Sequence, residues 1–229
     1  MEAPNLVTVI AGLPKTGKTH LALTFPEPVK IYSFDVRGAE PIAKAKFEGK
    51  HIDVEKVMPP VLDTLHPKPY AMNLLDYIKA QYEDDTTKYK TIVFDTATVL
   101  WEIVRHAWVE KCGRQNLMPR DYGEPNSNMT WFLMQAAVLG VNLVSLNYIK
   151  EKYVDEKPTG EYEIDGFRRT KGLVDVVVSM RKETKAVGGG KRKAVFYGKI
   201  EDNRYDPDVD GEELTNPTYD DIITVLGVA

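Results

Sequence analysis

AGLPKTGKTH, residues 11–20, follows the apolar run LVTVI and precedes a short apolar segment that stops before Pro26. From Gly12 to Thr19 it satisfies G-x-x-x-x-G-K-[ST] in full. A strand entering such a glycine-bearing loop and leaving as a helix turns successive backbone N–H groups into one concavity, which is an anion site. Gly12, Leu13, Pro14, Lys15, Thr16 and Gly17 form the loop, with His20 closing it on the helix side. Lys18 is placed to reach terminal phosphates, and the Thr19 hydroxyl to ligate Mg2+. The expected ligand is a nucleoside triphosphate with magnesium.

Outward from that loop, strands and helices alternate. Further strands are expected at VKIYSFD (29–35), KTIVFD (90–95) and VNLVSLN (141–147), with helices over 70–82, 97–111 and 127–140 and an irregular stretch from about 36 to Pro69. Residues 153–167 read as a mobile hairpin around Pro158 and Gly160. LVDVVVSMRKE and GGGKRKAVFYGKIEDN read as two paired strands, and their GGGKRK turn as a soluble hairpin tip, with a further phosphate contact as the alternative. Asn216 and Pro217 suit the cap and first position of a last short helix. The fold class is α/β, a doubly wound, mostly parallel sheet with an antiparallel strand pair near the C-terminus.

Composition narrows the function classes. The 229 residues, 43% hydrophobic and 28% charged, fit a single domain with a sizeable core. Its core is expected over about 5–205, with an acidic tail and short helix over 206–229. One cysteine, Cys112, excludes an internal disulfide, and four scattered histidines give no zinc-ligand spacing. The acidic start and the lack of a long apolar run point to a cytoplasmic protein without a membrane anchor. Charge is uneven: residues 150–204 carry 14 basic and 10 acidic side chains, whereas 205–229 carry none and 7. A polyanion would be drawn to the former and repelled by the latter.

Asp95 ends the third strand after TIVF, where a carboxylate emerging beside the phosphate loop would hold magnesium. Hydrolysis needs a further group to orient water; Asp35, ending the second strand, is the first candidate, with Glu40 behind it. This ordered set, GLPKTGKT, IYSFD, TIVFDTATVL, SLNYIK and KIEDNRYDP, resembles the RecA-like P-loop ATPases over about residues 5–205. It is most similar to small phage-encoded RecA-core ATPases associated with single-strand annealing, which would place it in the host cytoplasm.

The resemblance implies ATP and Mg2+ held by Lys18, Thr19 and Asp95, with ATP lying at subunit junctions of a homo-oligomer. Asn147 matches the polar strand end, but Tyr148 stands where the family often has the glutamine that senses the terminal phosphate. Asn203 and Arg204 match part of a basic pair that reaches a neighbouring subunit's nucleotide; Asp202 replaces its first cation. Arg204 is thus the surviving finger, and aspartate in place of the family's glutamate at 35 implies slow hydrolysis.

For single-stranded DNA, two loops leave the carboxyl edge of the sheet in this fold. One, Cys112 to Asn126, offers Arg114 and Arg120; the other offers Lys150, Lys152, Arg168, Arg169 and Lys171 near Tyr153, Tyr162 and Phe167. Cations that track phosphates beside rings that stack on bases are what sequence-tolerant binding requires. Single-strand-binding or other recombination proteins are further expected partners. A nucleotide-gated scaffold with little hydrolysis is the alternative, favoured by the missing glutamine and cation. A small-molecule kinase fits less well, because the late paired strands ending in DNRY do not resemble an arginine-rich lid.

Overall fold

The computed structural model describes residues 4–35, 38–58, 70–187 and 191–229. Among these described residues ten strands form: β1 (Val7–Gly12), β2 (Val29–Ser33), β3 (Ile52–Lys56), β4 (Thr91–Asp95), β5 (Asn142–Asn147), β6 (Ile149–Val154), β7 (Lys157–Ile164), β8 (Val176–Val187), β9 (Lys191–Asn203) and β10 (Glu213–Thr215). Eight make one sheet in the order β10-β9-β8-β1-β5-β4-β2-β3, while β6 and β7 pair separately. From β3 to β8 all neighbours are parallel; β9 runs antiparallel to β8 and β10 antiparallel to β9. β1, β4 and β5 are buried at every position, and this explains why they read as nearly unbroken apolar runs.

Among the described residues six α-helices cover the two faces: α1 (Lys18–Ala22), α2 (Glu40–Lys46), α3 (Tyr70–Asp85), α4 (Ala97–Cys112), α5 (Gly123–Leu139) and α6 (Tyr219–Val225). Alternate strand residues feed separate cores. Val9, Tyr32, Phe94 and Leu143 pack under α3, α4 and α5; Ile10, Ile31, Val93 and Val144 pack under α1, α2 and α6. The acidic C-terminal segment is tied in on both counts, since β10 joins the main sheet and Tyr219 of α6 packs on Phe25, ring centroids 4.8 Å apart.

Several expectations shift. Within the stretch expected to be irregular, α2 and the edge strand β3 form, while residues 36, 37 and 59–69 lie outside the described residues, as does the Gly188–Gly190 turn. α5 begins at Gly123 instead of 127, because a 3-10 turn, Pro119–Tyr122, runs directly into it. The hairpin turn falls at Asp155 and Glu156, with φ of 50° and 62°, leaving Pro158 and Gly160 inside β7. Two consecutive positive φ values match the twist of the flanking strands. The last helix is capped by Thr218, whose hydroxyl accepts from the Asp221 N–H while the Asp221 carboxylate accepts from the Thr218 N–H. Asn216 instead continues the β9 pairing, its N–H donating to the Phe196 carbonyl at 2.6 Å.

Candidate active site

β1 lies between β5 and β8, so the loop after Gly12 opens at the carboxyl edge of the sheet, where crevices in such sheets hold ligands. Its glycines are required by contact. A Cβ on Gly12 would lie 2.5 Å from the Met180 carbonyl oxygen and 2.8 Å from Thr16 Oγ1. Gly17 has φ of +92°, and a Cβ there would meet the Phe196 ring at 2.9 Å. The Thr16 hydroxyl donates to the Leu13 carbonyl at 2.8 Å, folding the loop on itself. Lys18 Nζ donates to the carbonyls of Gly12 and Leu13, both at 2.9 Å. Burial lowers the Lys18 pKa to about 8 against the opposing pull of Asp95.

Asp95 stands at the end of β4, in register with Ser33 of β2 and Leu146 of β5. The Thr19 hydroxyl donates to its Oδ2 at 3.1 Å, linking loop and strand end. Burial pushes its pKa up to about 6; the Thr19 hydrogen bond and Lys18 oppose the shift and Asp35 adds to it. Next to it Thr96 Oγ1 is buried without a hydrogen-bond partner among the described residues. A hydroxyl left in that condition beside a carboxylate and an ammonium fits a site made for oxygen-rich ligands. Donors of this class, hydroxyl and carboxylate oxygen, suit magnesium. The residues present therefore fit Mg2+ and the phosphates of a nucleotide.

The cavity they open into has a volume of about 750 Å3, within the range of nucleotide-sized sites. Lys18, Thr19, Asp95, Asp35 and Tyr148 make its polar end, and Pro41, Ile42 and Ala45 of α2 give an apolar wall, with Phe196 of β9 also on its lining. Pro14, Lys15 and His20 also line it. The His20 ring packs on Phe47 at 5.0 Å, and burial together with Lys46 lowers its pKa. Thr96, Phe196 and the α2 residues carry no motif, so only the fold brings them to the site. The Tyr148 ring lies over Lys18, 5.1 Å from Nζ to centroid, and its backbone N–H donates to Thr98 Oγ1 at 3.1 Å.

Three residues expected at the chemistry lie elsewhere. Asn147 is buried at the end of β5, but its amide is engaged sideways, accepting from Ser145 Oγ at 2.9 Å and donating to the Asp165 carbonyl at 3.2 Å. Glu40 is outside the cavity lining; Lys44 and Lys56 bind its two oxygens at 2.7 and 2.8 Å and hold its pKa to about 2. Arg204 follows β9, whose Asn203 is in register with Val176 at the start of β8. It is thus at the opposite edge of the sheet from its own phosphate loop, paired with Asp175 at 3.5 Å.

The expected DNA-facing cations divide into two groups. Arg114 and Arg120 sit against Asp121, at 2.5 and 3.9 Å. Lys150 pairs with Glu163 and Asp165, and Lys152 with Glu161. Phe167 is core, its ring 5.5 Å from Trp101, which removes it as a base platform. Tyr153 and Tyr162 are exposed on the β6–β7 hairpin, and Arg168, Arg169 and Lys171 are exposed beyond it. Arg169 reaches a hollow of about 430 Å3 lined by Asn126, Ser127, Thr130 and Trp131, so the two loops meet at one edge.

Among the described residues no cluster of three or more metal-ligating His, Cys, Asp or Glu occurs, and no helix is long and apolar enough to cross a membrane. No curated protein shows significant similarity to the chain. Among solved structures, a KaiC-like protein of the hyperthermophilic archaeon Pyrococcus horikoshii is similar over 93% of this chain and 85% of that one, with a TM-score of 0.52 and 14% identity. That likeness is one of fold: a RecA- and KaiC-like, mostly parallel sheet with antiparallel strands at its C-terminal side. The AAA domain model matches residues 4–202, which hold the phosphate loop, Asp95 and every strand from β1 to β8, and the chain therefore belongs to that family of P-loop proteins.

Proposed function

We propose that the chain is a magnesium-dependent ATPase that binds ATP at junctions between side-by-side copies and acts on single-stranded DNA in recombination or strand annealing, as its resemblance to phage-encoded RecA-core proteins implies. The observation that carries the ATPase part is the convergence of Lys18, Thr19, Asp95 and Asp35 on one cavity at the carboxyl edge. Lys18 exchanges its two loop carbonyls for phosphate oxygens, and the Thr19 hydroxyl and Asp95 hold the metal. When bound, magnesium neutralises charge on the transferred phosphate. Asp35, on the open side of the cavity, orients the attacking water, and its short side chain keeps turnover slow. The exposed Tyr153 and Tyr162 and the Arg169 hollow at the same edge support the DNA part.

A second reading, a nucleotide-gated scaffold that scarcely hydrolyses, is favoured by the Tyr148 ring lying on Lys18. Phosphate release from magnesium-ATP, measured with and without single-stranded DNA and with Lys18→Ala as blank, separates the two. Stimulation by DNA that vanishes in Lys18→Ala supports the proposal. Release at the blank's level under both conditions, in a protein that still binds ATP, favours the scaffold.

A further inference from the structure

β8 pairs with β1 only from Val176 to Met180, and beyond that it pairs with β9 alone, out to Val187 opposite Lys191. The outer part, beginning at Arg181 opposite Tyr197, is a two-stranded arm that rises roughly 20 Å past the edge on which the phosphate loop opens. β10 and the Asn216 that continues it reach no farther along it than Phe196. Arg181, Lys182, Lys185, Arg192 and Lys193 stand on this arm against one acid, Glu183. Arg181 is already engaged by Glu183 and Glu213 and lies over the Tyr197 ring at 4.1 Å.

The other four lack such carboxylates, and of them Lys185 lies over the same Tyr197 ring, 5.2 Å from Nζ to centroid. Among the described residues Lys182, Lys185, Arg192 and Lys193 are exposed and have no acidic partner within ion-pair distance. Lys185 is directly opposite Lys193 on one face. Like charges facing each other across a strand pair cost stability unless an anion lies between them. Lys182 is opposite Phe196 on the other face, and Phe196 lines the nucleotide cavity. On β6–β7, by contrast, Lys150 and Lys152 already have carboxylate partners.

We propose that the β8–β9 arm, through Lys182, Lys185, Arg192 and Lys193, is the surface that binds the phosphates of single-stranded DNA, while β6–β7 supplies stacking rings. The idea rests on the DNA part of the function proposed above. Sheet order gives it geometry: β8 and β5 flank β1, so the two arms leave the edge about 10 Å apart with the phosphate loop between them. A strand lying across both passes over the nucleotide cavity. Lysines can instead serve to keep an edge strand from pairing with other chains, and the test distinguishes that use.

The test is anisotropy of a fluorescein-labelled 30-nucleotide oligo(dT) against the full chain, from 50 to 200 mM salt, with magnesium-ATP. Serine at Lys182, Lys185, Arg192 and Lys193 together is expected to weaken binding by about ten- to a hundred-fold and to flatten the salt slope by about 3, at about 0.7 for each phosphate no longer neutralised. Arginine at Lys185 and Lys193 is expected to keep wild-type affinity, and Lys150→Ser with Lys152→Ser to change it less than about three-fold. A nucleotide-induced rise in melting temperature retained by the fourfold variant shows that its fold is intact. Unchanged affinity and slope in that variant, with or without aggregation, overturns the arm and leaves the DNA reading standing. A wild-type chain that does not bind oligo(dT) overturns both.

Discussion

Burial shifts the charge equilibria of the two side chains closest to where the proposed function puts phosphate and metal. It pushes the Asp95 carboxyl up to about 6, from the ordinary 3.8 of an aspartate, and Lys18 down to about 8, from its ordinary 10.5. For the empty protein the raised carboxyl value is a cost of folding that is full above pH 6 and vanishes below about 4, because the native state takes up the proton first. The shift that remains after Thr19 and Lys18 have opposed burial corresponds to about 3 kcal/mol. Asp95→Asn is therefore expected to abolish phosphate release while raising the melting temperature at pH 7.5 by roughly 6–12 °C. That gap should close as pH falls from 7 towards 4, and scanning calorimetry of both proteins measures it. A gap that widens with acid would contradict the assignment. Lys18, Thr19 and Asp95 were legible in the sequence because loop spacing and a strand end determine their positions. Asn147 and Glu40 were not, since Ser145, Asp165 and Lys56 decide where their polar ends point, and no local spacing reports those neighbours.

At the scale of elements, α3 depends on a side chain from another helix. The backbone N–H groups of Tyr70, Ala71 and Met72 all donate to the Glu110 carboxylate of α4, at 3.0 to 3.3 Å. A carboxylate at a helix N-terminus satisfies orphan donors and opposes the helix dipole. Glu110→Ala should thus cost about 1–2 kcal/mol, or roughly 3–6 °C in melting temperature, with Glu110→Gln recovering part of it; thermal denaturation of the three proteins checks this. Equal stability in all three would show that α3 does not need the cap. Periodicity alone locates α3 and α4, since their buried residues recur on one face. It missed α2, none of whose residues is fully buried, and β3, a half-buried edge strand paired only with β2. Apolar patterning is weakest where one side of an element faces water. The Asp155 and Glu156 turn was hidden for a different reason, because neither residue type advertises positive φ as glycine does.

At the scale of the molecule, the sheet separates two parts that the sequence brings into one family pattern. The phosphate loop opens at the carboxyl edge after β1, whereas Arg204 leaves β9 beside the start of β8, about a strand length away. No motion of a side chain spans that distance, so Arg204 can serve a nucleotide only in a neighbouring copy, and the Asp175 pair would have to open for it to do so. This geometry makes a prediction that does not depend on the number of subunits. Arg204→Ala and Lys18→Ala should each lower phosphate release at least about ten-fold, as expected when an arginine finger or its target is lost. Mixed in equal amounts, the two inactive proteins should regain about a quarter of wild-type activity, because random side-by-side assembly gives one junction in four an intact loop facing an intact arginine. Steady-state phosphate release across mixing ratios, at concentrations where light scattering shows assembly, is the measurement. Recovery that peaks at equal mixing places the arginine in trans. Activity that stays at the sum of the separate proteins, in assemblies that demonstrably contain both, assigns Arg204 to the Asp175 pair alone and leaves the nucleotide site to the residues of a single copy.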